Sequence, residues 1–169
     1  MKHLILGGAR SGKSRFAENK ALALGASPYY IATATADDDE MGERISNHKI
    51  SRGECWKTIE EPIYLGKLLH DLCDPNNVIL IDCMTLWLSN CLHKNVFKEE
   101  KRAFVESLKA CSASVIIVSN EVGSGIVPLG KLSRDFVDES GWLNQELAVV
   151  SDQVTLVVAG LPMTLKSGA

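Results

Sequence analysis

The chain has 169 residues, 46% hydrophobic and 23% charged, the balance of one globular domain with a core of its own. Lys and Arg number 18 against 21 Asp and Glu, a formal net charge of -3, so no overall basic field recruits nucleic acid. No apolar run approaches the roughly 20 residues that cross a bilayer, and Gly7 cuts the first run too early for a signal-peptide core, so the expected location is cytoplasmic.

In chain order, Leu4–Leu6 predicts a strand and Lys13–Leu24 a helix, with Gly25 suited to the helix end. Between them lies Gly7-x-x-x-x-Gly12-Lys13-Ser14, the P-loop pattern in the strand-then-helix setting it requires. Its glycines allow backbone dihedrals that other residues resist. Successive N–H groups can then turn inward as an anion nest, and the helix adds its positive N-terminal end. Gly7, Gly8, Ala9, Arg10, Ser11 and Gly12 are accordingly candidate phosphate-binding residues. Lys13 would reach the β- and γ-phosphates, and the Ser14 hydroxyl would ligate Mg²⁺. The ligand class implied is a nucleoside triphosphate.

Tyr29–Thr33 predicts a second strand. Asp37 to about Ile50 carries helix signals, with acidic residues in the first turn and Met41, Ile45 and Lys49 at helical spacing. Arg44, His48 and Arg52 stand four residues apart and share one face if the helix continues, with Lys49 beside them. Like charges hold a histidine toward its neutral form, and neutral imidazole is a nucleophile. Such a face could collect a polyphosphate and attack it. On spacing alone, a solvated helix with an incidental histidine is the favoured reading.

Trp56–Ile59 predicts a short strand, Pro62–Leu72 a helix with Leu65, Leu68 and Leu69 on one face, and Pro75–Asn77 a turn. Val78–Asp82 is a near-continuous apolar run, as in a parallel strand covered on both faces. Asp82 closes it, where a carboxylate can hold Mg²⁺ directly or through water, or can simply cap the turn. Leu86–Leu92 and Lys98–Cys111 predict helices, the second with Phe104, Leu108 and Cys111 inward. Ser114–Val118 predicts a strand, Gly123–Gly130 a loop, and Ser133–Val150 a helix. Val154–Val158 reads as the final strand, ended by Gly160-Leu161-Pro162. Strands alternating with helices imply an α/β, three-layer P-loop NTPase-like fold with a mainly parallel central sheet, one domain over residues 1–169. Cys55, Cys73, Cys83, Cys91 and Cys111 are odd in number, form no C-x-x-C pair and read as buried or semi-buried free thiols in a reducing compartment. Neither the Asn-Lys-x-Asp base-reading motif of signalling GTPases nor an Arg-rich lid of nucleoside monophosphate kinases is present.

Longer blocks narrow the choice. They include Gly7-Gly-Ala-Arg-Ser-Gly-Lys-Ser-Arg15, Tyr30-Ile-Ala-Thr-Ala34, Asp39-Glu-Met with Arg44-Ile-x-x-His-Lys49, and Arg52-x-x-x-Trp56-x-Thr-x-Glu60-x-Pro62. Asp82-Cys-Met-Thr-Leu-Trp-Leu-Ser-Asn90, Ser119-Asn-Glu-Val-Gly-Ser-Gly-Ile-Val-Pro128, and Arg134-x-Phe-x-Asp138 through Gly141-x-Leu-Asn-Gln145 to Gly160 continue the series. With these blocks the chain resembles the bifunctional adenosylcobinamide kinase / adenosylcobinamide-phosphate guanylyltransferase family of cobalamin biosynthesis, nearly end to end.

The resemblance implies two reactions. ATP or GTP phosphorylates the aminopropanol hydroxyl of adenosylcobinamide, and GMP from GTP is then joined to that phosphate with release of pyrophosphate. It implies a covalent guanylyl-histidine, which the Arg-Ile-x-x-His pattern places at His48, and nucleotide contacts at Thr33, Ala34, Thr35, Lys49, Ile50, Ser51, Arg52, Glu60 and Asp82. Arg44, Lys49 and Arg52 become candidates for neutralising the transferred phosphoryl group. Glu60 could accept hydrogen bonds from guanine or ribose, or be an exposed loop carboxylate. Asn120, Glu121, Gly123 and Gly125 could line a corrinoid pocket or shape a turn, and Trp56 and Trp142 read as packing residues rather than stacking platforms. Asn47 stands where relatives can carry a second histidine. A homotrimer is implied by the resemblance alone. The rival readings are a P-loop small-molecule kinase without a covalent adduct and a nucleotide-dependent switch.

Overall fold

The computed structural model describes residues 1–25, 27–34 and 55–168. The helix expected over Asp37–Ile50 lies outside them. The described elements are β1 (Lys2–Gly7), α1 (Lys13–Leu24), β2 (Tyr29–Ala32), β3 (Lys57–Glu60), α2 (Leu65–Asp71), β4 (Val78–Asp82), α3 (Met84–His93), α4 (Phe97–Ala110), β5 (Ser114–Asn120), α5 (Lys131–Val150), β6 (Gln153–Val158) and β7 (Leu161–Lys166).

The seven strands form one sheet in the order β3-β2-β4-β5-β1-β6-β7. All neighbours run parallel except β6 and β7. Alternation along each apolar run feeds two cores. Leu4, Ile31, Ile79, Ile81, Val115 and Ile117 face one side, where Leu69 of α2, Trp87 of α3, Phe104 of α4 and Leu143 of α5 pack against them. Ile5, Tyr30, Leu80, Ile116 and Val118 face the other, against Ala17 and Ala21 of α1. The two-faced burial explains why the β4 and β5 sequences are continuously apolar rather than alternating.

The α2–α4 contact is close. A Cβ at Gly66 would lie 2.8 Å from the Ala103 carbonyl carbon and 2.9 Å from the Phe104 nitrogen, so only glycine lets these backbones approach. Trp87 fills the space beyond, edge-on to Phe97 and tilted against Phe104, and its indole Nε1 donates to the Ile63 carbonyl at 2.7 Å.

Two expectations are corrected. β6 is not the last strand: Ala159 (φ 52°) and Gly160 (φ 79°) make a two-residue reversal, and β7 returns antiparallel along the sheet edge. Pro162 is tolerated there because an edge strand leaves one side of its ladder unpaired. Trp142 is not a packing residue of this chain, being 55% exposed, whereas Trp56 packs edge-on against Tyr30 at 5.6 Å. The other differences are end shifts: α2 is shorter than Pro62–Leu72, α3 and α5 start two residues earlier, and β3 is displaced by one.

Gly66→Ala must push α2 off α4 backbone. Urea unfolding should show a loss of about 1–3 kcal/mol, the usual range for overpacking, with an unchanged m-value.

Candidate active site

The loop between β1 and α1 is built from unusual backbone. Arg10 (φ 55°) and Gly12 (φ 93°) take left-handed conformations, and Gly12 serves as the N-cap of α1 without a side-chain cap. No acidic residue stands in the first turn of this 12-residue helix, so its leading N–H groups and its positive end are left for an anion. Gly7 has no room for a side chain: a Cβ would lie 2.5 Å from Ser11 Oγ and 2.6 Å from the Val157 carbonyl oxygen. Ser11 Oγ is buried without a hydrogen-bond partner. An orphaned hydroxyl inside a tight ring of backbone suits phosphate oxygens.

Lys13 extends into this ring. Its side chain is buried, and Nζ donates to the Gly8 carbonyl at 2.9 Å. Burial pulls its pKa below the ordinary lysine value, while the charges of Asp82 and Cys83 act in the opposite direction. A desolvated ammonium beside a nest of amides is poised to gain from a polyanion.

Asp82 arrives from β4. Tyr30 Oη donates to its Oδ2 at 3.0 Å across the β2–β4 pair. The next residue is clamped: Thr33 Oγ1 donates to the Cys83 carbonyl at 2.7 Å and accepts from the Cys83 N–H at 2.9 Å. Asn90 Nδ2 holds the Thr33 carbonyl at 2.8 Å and the Pro62 carbonyl at 3.2 Å, tying α3 to the same edge. Farther along, Asn120 Nδ2 donates to Thr85 Oγ1 at 2.7 Å, and Ser119 Oγ donates to Asn144 Oδ1 at 2.7 Å. Glu121 accepts from the N–H groups of Gly123 (2.8 Å) and Ser124 (3.3 Å), folding the glycine-rich loop back on itself.

Of the sequence-derived candidates, Gly7, Gly8, Ala9, Arg10, Ser11, Gly12, Lys13 and Ser14 form the loop and the first turn of α1. Thr33, Ala34 and Asp82 lie at the carboxyl ends of β2 and β4 on the same edge of the sheet, and Glu60 is exposed at the end of β3. Thr35, Arg44, His48, Lys49, Ile50, Ser51 and Arg52 lie outside the described residues. The hydroxyl of Ser14 and the carboxylate of Asp82 are hard oxygen donors of the kind Mg²⁺ shares with phosphate and water. Among the described residues no group of three or more His, Cys, Asp or Glu could hold a metal alone.

The model of the cobinamide kinase / cobinamide phosphate guanyltransferase family matches residues 3–165. The chain belongs to that family. Its relatives include the bifunctional adenosylcobalamin biosynthesis protein CobP of Pseudomonas aeruginosa, 49% identical over 98% of each chain. The CobU protein of Escherichia coli is 37% identical over 98% of this chain and 100% of its own. Among solved structures, the flagellar accessory protein FlaH from Methanocaldococcus jannaschii shares the fold at 13% identity, with a TM-score of 0.54 over 99% of this chain and 78% of that one. The RadB recombinase does so at 14% identity, with a TM-score of 0.53 over 92% and 73%. Both likenesses concern the P-loop NTPase-like fold.

Within this cobinamide kinase / guanyltransferase fold, sequence reasoning missed the contacts that brace the site from a distance. Gly160 N–H donates to the Ser11 carbonyl at 2.8 Å, and a Cβ on Gly12 would sit 3.3 Å from Gly160 Cα. The β6–β7 turn therefore backs the phosphate loop. Tyr30, Thr33 and Asn90 stood in recognisable blocks, but their partners are 52, 50 and 57 residues away, so no local spacing signals them.

Lys13→Met should weaken GTP binding about ten- to a hundredfold in calorimetric titration, the worth of a charge-assisted hydrogen bond. The unliganded variant should unfold no more readily than wild type at neutral pH, because a base whose folded pKa is depressed opposes folding while charged. Wild-type stability should rise relative to the variant as pH climbs toward 10.5, the unperturbed lysine value.

Proposed function

We propose that this chain phosphorylates the aminopropanol hydroxyl of adenosylcobinamide with ATP or GTP and then transfers GMP from GTP to the new phosphate, yielding adenosylcobinamide-GDP and pyrophosphate. The observation that carries the reading is a P-loop with a buried lysine at the edge where Asp82 emerges, in a chain that matches a kinase/guanyltransferase family over residues 3–165.

In this reading the amides of Gly7–Ser14 and the Lys13 ammonium hold the triphosphate. Ser14 and Asp82 would hold Mg²⁺, which when bound would neutralise charge at the leaving pyrophosphate. His48 attacks the α-phosphorus, the P–O bond to pyrophosphate breaks, and a phosphoramidate forms. The cobinamide phosphate displaces His48 in the second step, so attack of one anion on a polyanion is avoided. Arg44, Lys49 and Arg52 neutralise charge on the transferred group, and Thr33, Ala34, Thr35, Ile50, Ser51 and Glu60 contact the nucleotide. The family resemblance supports the roles of His48 and its neighbours, and the geometry of the loop supports those of Lys13 and its amides.

A homotrimer working in the cytoplasm completes the proposal. No described helix is long and apolar enough to cross a membrane. Ile126 (97%), Leu129 (98%) and Leu132 (80%) are exposed apolar side chains that an assembly could cover, which supports self-association.

Incubation with GTP labelled at the α-phosphorus should leave acid-labile, alkali-stable label on the protein. His48→Asn should abolish both label and guanylyl transfer, and label retained in that variant would mean another nucleophile.

A further inference from the structure

Away from the nucleotide edge, two thiols meet at the opposite end of the sheet. Cys73 follows α2 and precedes β4, and Cys111 follows α4 and precedes β5. Both strands run away from this end toward Asp82 and Asn120 at the edge that holds the P-loop. The Ser112 N–H, one residue past Cys111, donates to Cys73 Sγ at 3.1 Å, and the Ser112 hydroxyl lies 3.7 Å from the same sulfur. Cys73 is partly exposed, whereas Cys111 is buried behind it in the core shared by α2 and α4.

Those donors favour a thiolate. Hydrogen bonds from the Ser112 backbone, the Ser112 side chain, the Cys111 thiol and the Ala113 backbone together outweigh partial burial and pull the Cys73 pKa down. Cys111 is shifted up by burial and by its neighbour Cys73, with Lys2 near enough to oppose the shift. An accessible, thiolate-leaning cysteine with a second thiol behind it matches an attacking and a resolving pair. The other thiols differ. Cys83 and Cys91 are buried away from solvent, and Cys55 is exposed in the chain before β3.

We propose that Cys73 is a peroxide-reactive modification site and that Cys111 resolves it as an intramolecular disulfide. In the first step the Cys73 thiolate attacks hydrogen peroxide. The O–O bond breaks, sulfur is oxidised by two electrons to a sulfenic acid, and hydroxide leaves. In the second step Cys111 sulfur attacks the sulfenic sulfur. The S–O bond breaks, the S–S bond forms, and the Cys111 proton departs with the displaced hydroxide as water. One peroxide is consumed for two thiols and two waters are made. The inference does not depend on the proposed nucleotide chemistry.

Peptide mapping of the full-length protein after mild hydrogen peroxide treatment tests it. The expected result is a Cys73–Cys111 linkage, reversed by dithiothreitol, that forms faster than modification of Cys55. Cys73→Ser should retain the Cys111 thiol in reduced form. Cys111→Ser should stop at a Cys73 sulfenic acid that dimedone traps, and because Cys73 is at the surface the first variant remains informative if the second folds poorly. Oxidation confined to Cys55, or a disulfide joining two chains in place of the internal one, would overturn the proposal.

Discussion

The P-loop keeps its shape because Gly7 carries no side chain. A single methyl group there would collide with the Val157 carbonyl of β6 and the Ser11 hydroxyl of the loop. The last strand pair thus shapes the first functional loop. Gly160, at the β6–β7 turn, bonds the Ser11 carbonyl and lies against Gly12. Left-handed residues on both sides, Arg10 and Gly12 in the loop and Ala159 and Gly160 in the turn, let two tight backbones nest together. β7 has all six residues exposed and adds little to the core, but its turn is what braces the loop.

From that constraint follow the electrostatics of the edge. Backbone amides and the free end of α1 carry partial positive charge, and a buried lysine carries a full one. Asp82 supplies the counter-charge from an adjacent part of the edge, steadied by Tyr30. Positive and negative charge thus stand close together at this edge, as the proposed binding of a polyanion with a divalent cation would require. Around it, side-chain hydrogen bonds from Thr33, Asn90, Asn120 and Asn144 tie the carboxyl ends of β2, β4 and β5 to α3 and α5. These bonds leave little freedom for the edge to spread, which is how a scaffold holds reacting groups at a fixed separation.

Much of this was legible in the sequence, for physical reasons that differ by element. Val78–Asp82 and Ser114–Val118 were readable because double-faced burial leaves continuous apolar runs. The P-loop was readable because its geometry demands specific residues at specific spacing. β7 was not, since an exposed edge strand with a proline carries neither an apolar run nor a free amide at that position. Nor could spacing say which tryptophan fills the core. Trp87 is fully buried and Trp142 is not, a distinction made by the packing of α2 and α4 rather than by local pattern. The clamp between Thr33 and Cys83 and the contact between Tyr30 and Asp82 arise only when β2 and β4 lie side by side.

The central claim is that this cradle presents the triphosphate of GTP to His48. A crystal structure of the protein charged with GTP and Mg²⁺ is the most direct measurement. The account predicts phosphate oxygens on the amides of Gly7–Ser14 within hydrogen-bond reach of Lys13 Nζ, with the guanylyl phosphorus bonded to a ring nitrogen of His48. Phosphates bound away from that loop, or a guanylyl group attached to any other side chain, would contradict it.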